Sequence, residues 1–137
     1  MISALDTNVL IDLLGEETRF TAPSIAALDA ARVLGALVIC PVVAAEISGH
    51  FVSHGAMQES LSAMGITVDS MPLATLHLAG TIFVRYRKRS TKPKDRMLAD
   101  FLVGAHAQRQ AGALLTRDRG YYRTYFPKLR VIEPEIH

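Results

Sequence analysis

Short apolar runs that lack strict polar alternation punctuate this chain, each followed by a longer segment with helical spacing. Strands are expected at Ile2 to Leu5, Leu37 to Cys40, Ile66 to Val68, Ala113 to Leu115 and Leu129 to Ile132. A strand that is apolar on both faces must be covered on both faces. Helical spacing fills the gaps: Thr7 to Leu14, stopped by Gly15; Pro23 to near Gly35; Val42 to about His54; Ala56 to Met64; a helix opened by Pro72; and Met97 to Ala111. A short helix or turn is expected over Arg119 to Tyr125. Strands alternating with helices predict an α/β domain built on a mainly parallel sheet of about five strands.

The chain has 137 residues, which points to a single domain spanning 1–137. Half of the residues are hydrophobic and 20% are charged, so disorder is excluded. The one cysteine, Cys40, cannot form an internal disulfide and reads as a small core residue, which suits a reducing cytoplasm. No basic segment precedes an N-terminal apolar run, so no signal peptide is expected. The longest apolar stretch, Leu34 to Ala45, is interrupted by Pro41 and is too short to span a bilayer.

Four carboxylates interrupt apolar surroundings: Asp6 after ISAL, Glu46 in PVVAAEIS, Asp100 in MLADFLVGA and Asp118 in ALLTRDRGY. Asp6 and Asp118 follow strands, on the edge where open α/β sheets bind ligands. Either could instead cap the helix after it. Asp100 shares a helix face with Val103, Gly104 and Ala107, which predicts a face packed on the sheet. Glu46 lies at the margin of its helix's apolar face and, taken alone, reads as solvated. Four ionised carboxylates about 6 Å apart would repel by roughly 3 kcal/mol per pair at an effective dielectric of about 20. The total, on the order of 15 kcal/mol, exceeds ordinary domain stability. Protonation or a bound cation must relieve it. All-oxygen sites suit magnesium or manganese, which can polarise a phosphodiester and activate a water.

Charge is unevenly distributed. Residues 1–84 hold two bases and eight acids (net −6), whereas 85–137 hold thirteen bases and five acids (net +8). Arg85, Arg87, Lys88 and Arg89, continuing into Lys92, Lys94 and Arg96, form a dense basic run suited to phosphate, with Tyr86 available to stack on a base. The bland alternative is a solvated helix end. Arg117, Arg119 and Arg123 surround Asp118 and are the stronger candidates for substrate contact. His50 and His54, four apart on one expected helix, lack an acid or cysteine to complete a zinc set; His77, His106 and His137 show no partner pattern.

The segments LDTNVLIDLL, VVAAEI, ADFLVGAHA and LLTRDRGYYRTYFPKLRVIEP resemble those of PIN-domain ribonucleases, above all the VapC-like toxins of VapBC toxin–antitoxin pairs. The resemblance covers nearly the whole chain. It implies a three-layer α/β/α sandwich and Mg2+- or Mn2+-dependent endoribonuclease activity. It matches Asp6, Glu46, Asp100 and Asp118 to the catalytic acids, with Asp6, Asp100 and Asp118 as metal ligands. Asn8 and Thr116 match supporting polar residues. RNA as substrate, a small neutralising antitoxin, a homodimer and a cytoplasmic location are implied too. Relatives often carry a further acid or amide soon after the final Asp; here Arg119 and Gly120 follow, which weakens any second metal site. Two alternatives stay open: a PIN-fold RNA-binding module without strong catalysis, and another acidic-cluster phosphohydrolase. Against the latter, a dehalogenase-type phosphatase needs an acid where Asn8 stands, and a receiver domain needs adjacent acids at the first strand.

Overall fold

The structure is a computed structural model and describes residues 1–89 and 97–136. Lys92, Lys94 and Arg96 of the basic run, and His137, lie outside the described residues. In chain order the elements are β1 (Ser3–Leu5), α1 (Thr7–Leu14), α2 (Thr21–Leu34), β2 (Leu37–Ile39), α3 (Pro41–Ile47), α4 (His54–Ala63), β3 (Ile66–Val68), α5 (Leu73–Arg89), α6 (Leu98–Gln110), β4 (Ala113–Leu115), α7 (Arg119–Tyr125) and β5 (Val131–Ile132).

The strands form one all-parallel sheet in the order β3-β2-β1-β4-β5. The helices sandwich it, as the buried faces of β1, β2 and β4 require. The chain first builds outward from β1 through β2 to β3, then crosses back to β4. The winding therefore reverses between β1 and β4. Loops leaving the carboxyl ends of those two strands diverge there and open a crevice, the usual ligand position in such sheets. Register is fixed by Ser3 opposite Ala113 and Leu5 opposite Leu115. The pairing continues one step further, where Asp6 N–H donates to Leu115 O at 3.0 Å.

One helix is broken where sequence spacing predicts continuity. The stretch expected to run from Val42 to about His54 ends at Ile47 and passes through a 3-10 turn, Ser48–His50, to extended Phe51. Ser48 Oγ donates back to Ala44 O, and Ser53 Oγ caps a new helix by accepting from Ala56 N–H. His50 and His54 therefore do not share a helix face. In α2, Pro23 sits inside the first turn rather than opening it, a position where the missing N–H costs nothing.

α6 is held at both ends. Its first half joins an aromatic cluster with α5 and α7: Phe101 meets Phe83, Tyr86, Tyr121 and Tyr125 at centroid distances of 5.4 to 5.7 Å, tilted or edge-on. Each such pair adds about 0.5–1.5 kcal/mol beyond burial. Tyr86 is thus core, not the exposed base-stacking ring expected from its basic neighbours. At the other end, buried His106 Nε2 donates to Asp69 Oδ2 at 2.9 Å, and Gln110 bonds to Ser70 O and Thr75 Oγ1. His106 therefore does have a partner.

The packing around α6 leaves no room at Gly104. A methyl group there would overlap the buried Phe126 ring. Gly104→Ala is expected to lower stability by about 1–3 kcal/mol, the ordinary cost of overpacking; the urea midpoint measures it. Among the described residues, no helix is long and apolar enough to cross a membrane.

Candidate active site

Asp6 is the first residue beyond β1 and only 8% exposed. Its Oδ1 accepts from Thr7 N–H at 2.8 Å, capping α1. Its Oδ2 accepts from Thr116 Oγ1 at 2.7 Å and from Asn8 Nδ2 at 3.4 Å. Capping and site-building are therefore served by different oxygens of one carboxylate. Thr116, fully buried just past β4, holds the facing loop: its Oγ1 also accepts from Asp118 N–H at 2.9 Å and Asn8 Nδ2 at 3.3 Å. Asn8 Oδ1 accepts from Arg117 N–H at 3.1 Å, which fixes the amide's orientation because a backbone N–H can only donate. Asn8 and Thr116 tie the loop after β1 to the loop after β4.

The other carboxylates approach this pair from three elements. Asp100, half-buried in the first turn of α6, accepts at Oδ2 from Met97 N–H at 3.3 Å. The face it shares is buried at Val103, Gly104 and Ala107, as its spacing predicts. Glu46 on α3 is exposed and accepts at Oε1 from Thr7 Oγ1 at 2.9 Å, so one residue links Asp6 to Glu46. Asp118 occupies the cap position of α7 but makes no capping hydrogen bond with its side chain.

Burial pushes the Asp6 carboxyl up from the ordinary carboxylate value. Hydrogen bonds from Thr116, Thr7 and Tyr122 oppose the rise, and the negative charge of Asp100 adds to it. Among the described residues, all the donors to Asp6 are neutral, and none supplies the positive charge the anion lacks. Burial likewise pushes the Cys40 thiol up, with the Asp6 charge adding, so Cys40 is the opposite of an activated nucleophile. Tyr122 beneath the site is also raised, mainly by burial and then by Asp6.

Among the described residues, no three His, Cys, Asp or Glu side chains stand close enough to enclose an ion alone. The four acids are brought to one sheet edge without closing into a cage. Magnesium does not require a cage. It keeps several waters and is commonly held by one or two carboxylates, with substrate phosphate completing the shell. A carboxylate raised by burial, with a second acid adding to the rise, and held among the described residues by neutral donors fits an ion of that kind.

Residues 4–127 match the PIN-domain family model. The chain belongs to the PIN-domain family. No curated protein matches it. Among solved structures, VapBC2 from Rickettsia felis, bound to a DNA fragment from its promoter, is similar over 98% of this chain and 100% of the other, with a TM-score of 0.72 at 16% identity. A toxin–antitoxin complex from Klebsiella pneumoniae is similar over 98% and 99%, with a TM-score of 0.69 at 20% identity. VapBC-1 from nontypeable Haemophilus influenzae is similar over 97% and 98%, with a TM-score of 0.65 at 21% identity. At such identities the likeness is one of fold, and it extends over nearly the full length.

Around this PIN domain's acidic edge, the bases divide into two kinds. Arg119 and Arg123 on α7 are exposed beside Asp118, and Arg85, Arg87 and Lys88 are exposed near the end of α5, which Arg89 closes. Arg117 is different. Its guanidinium pairs with Asp12, Nε to Oδ2 at 2.8 Å and Nη2 to Oδ1 at 3.1 Å. Asp12, only 6% exposed, sits in the middle of α1 and away from any strand end, so its place in the sequence gives little hint of this pairing. One signal was available: Asp12 lies four residues after Asn8, on the same face of α1.

Proposed function

We propose that this PIN domain is a divalent-cation-dependent endoribonuclease and the toxin of a toxin–antitoxin pair. It hydrolyses RNA phosphodiester bonds in the cytoplasm and is neutralised by a small antitoxin protein. The observation that carries the nuclease reading is the raised Asp6 carboxyl, bonded to Thr116 across the β1/β4 reversal and pushed further by Asp100. The toxin reading is supported by fold: the full-length structural likenesses are to toxin–antitoxin complexes. A homodimer belongs to the same proposal.

Asp6 and Asp100 would hold one Mg2+ or Mn2+, with Asp118 as a third ligand directly or through water, and Glu46 acting from the solvent side through Thr7. A cation bound there supplies a Lewis acid for the phosphodiester and lowers the pKa of the attacking water. The rest is the work of the chain. Thr7, Asn8 and Thr116 fix the carboxylate of Asp6 so that little reorganisation accompanies the reaction. The exposed guanidiniums of Arg119 and Arg123 offer bidentate contacts to phosphate, and the α5 bases extend that surface.

Incubation of the purified protein with structured RNA, first in magnesium and then in EDTA, tests the reading. Cleavage in magnesium that stops in EDTA is expected. Retention of intact RNA in both conditions would favour the PIN-fold RNA-binding module instead, and neither binding nor cleavage would reject both.

A further inference from the structure

We infer that Arg117 is a positioning residue whose pairing with Asp12 holds the loop that carries Thr116 and Asp118; the inference rests on the nuclease reading. Arg117 lies between two residues of the acidic site and is attached at two points. Its backbone N–H donates to Asn8 Oδ1, and its side chain grips Asp12 by two parallel hydrogen bonds. Asn8 and Asp12 are one helical turn apart on α1. The loop after β4 is therefore clamped along α1 rather than hung from one contact.

The far side of the clamp is equally specific. Asp12 Oδ2 also accepts from Ser24 Oγ of α2 at 2.6 Å. The Arg117 guanidinium lies over the Phe20 ring, 4.0 Å from its centroid, just before α2. An almost fully buried carboxylate, a bidentate arginine, a hydroxyl and an aromatic face thus join α1, α2 and the β4–α7 loop. Only a planar guanidinium can fork onto the carboxylate and stack on the ring together. With the arginine's charge matched by Asp12 and the side chain 26% exposed, it is poorly placed to attract a phosphate. Arg119 and Arg123, exposed on α7, have no such engagement with Asp12. Sequence proximity to Asp118 groups the three arginines together; the structure separates them by task.

Release of the clamp leaves Thr116 and Asp118 free to shift against Asp6. Misplacement of a reacting group by about 1 Å can cost on the order of a hundredfold in rate. The loss falls on kcat, because the geometry matters most in the transition state.

The test compares wild type with Arg117→Lys, Asp12→Asn and the double variant. It measures RNA cleavage in magnesium across a salt series and amide exchange at residues 116–118. Arg117→Lys keeps a cation beside Asp12, so the fold survives while the fork and the stack are lost. Should Asp12→Asn not fold, Ser24→Ala takes its place. Each single variant is expected to lower kcat by about a hundredfold with KM and salt slope little changed. The double variant should be no worse than the poorer single, because the residues act as one unit. Exchange of the Asp118 amide should quicken in every variant. A raised KM with a salt slope shallower by about one would instead make Arg117 a phosphate contact. Exchange and kcat equal to wild type would overturn the clamp. A wild type that does not cleave would reject the nuclease reading, while the exchange data still decide whether the clamp holds the loop.

Discussion

Asp6→Asn is expected to abolish RNA cleavage and, in the same protein, to raise the melting temperature measured without divalent cations. Both effects follow from one carboxylate. In the folded chain its pKa is raised above the ordinary value by burial and by Asp100. Between the ordinary value and the raised one, the folded state binds more protons than the unfolded state. Stability therefore falls as pH rises through that window, and the cost is fully present above it. Asparagine keeps the Oδ1 cap on Thr7 and removes the charge, while its Nδ2, a donor, replaces the oxygen that accepted from Thr116 Oγ1 and Asn8 Nδ2, which offsets part of the gain. The variant should melt at a higher temperature than wild type at neutral pH in EDTA. The advantage should shrink as pH falls toward the ordinary carboxylate range. Single-turnover cleavage should drop by at least about a thousandfold, because a metal's contribution to transition-state charge is worth several kcal/mol. Calorimetry in EDTA and a cleavage time course read the two effects. An unchanged melting temperature would mean that the anion is better solvated than its burial implies.

Phe101→Ala should cost about 3–5 kcal/mol, the range for removing a large buried aromatic. Phe101 is fully buried and touches four other rings, two from α5 and two from α7. A domain of ordinary stability has about 5–15 kcal/mol in all, so this variant should lie near its unfolding threshold. The comparison variant is Leu73→Ala on the same helix pair. Leu73 is 81% exposed, and its loss should stay within about 0.5 kcal/mol. Urea titration of both separates a structural cluster from ordinary helix surface. Because Asp100 is the residue before Phe101, the effect reaches the site: the turn that presents Asp100 is seated by the ring beside it. A cost below about 1 kcal/mol for Phe101→Ala would contradict the packing described.

What could be read from the sequence was local. The ISAL run ending in Asp6, the ALL run leading to Thr116 and Asp118, and the small residues beside Asp100 each carry their meaning within a few positions. The strand order is non-local, and no short pattern announces that β1 pairs with both β2 and β4. The same holds for the pairs that decide side-chain tasks. Asp12 meets Arg117 across 105 positions, and His106 meets Asp69 across 37. Without its partner, Asp12 looks like a mid-helix acid, and Arg117 looks like another base beside the site. Tyr86 misled for a related reason. Its basic neighbours are exposed, but the helix turns its ring inward onto Phe101 and Tyr125. The break after Ile47 was missed because Ser48 satisfies a helical carbonyl even as the helix ends.

Binding of Mn2+ to the RNA-free protein, followed by electron paramagnetic resonance, tests the central claim most directly. Wild type should bind the ion. Asp6→Asn and Asp100→Ala, both still folded, should each lose more than about tenfold in affinity, since losing even an outer-shell partner costs that much at known metal sites. Binding by both variants as tight as that of wild type would contradict the account.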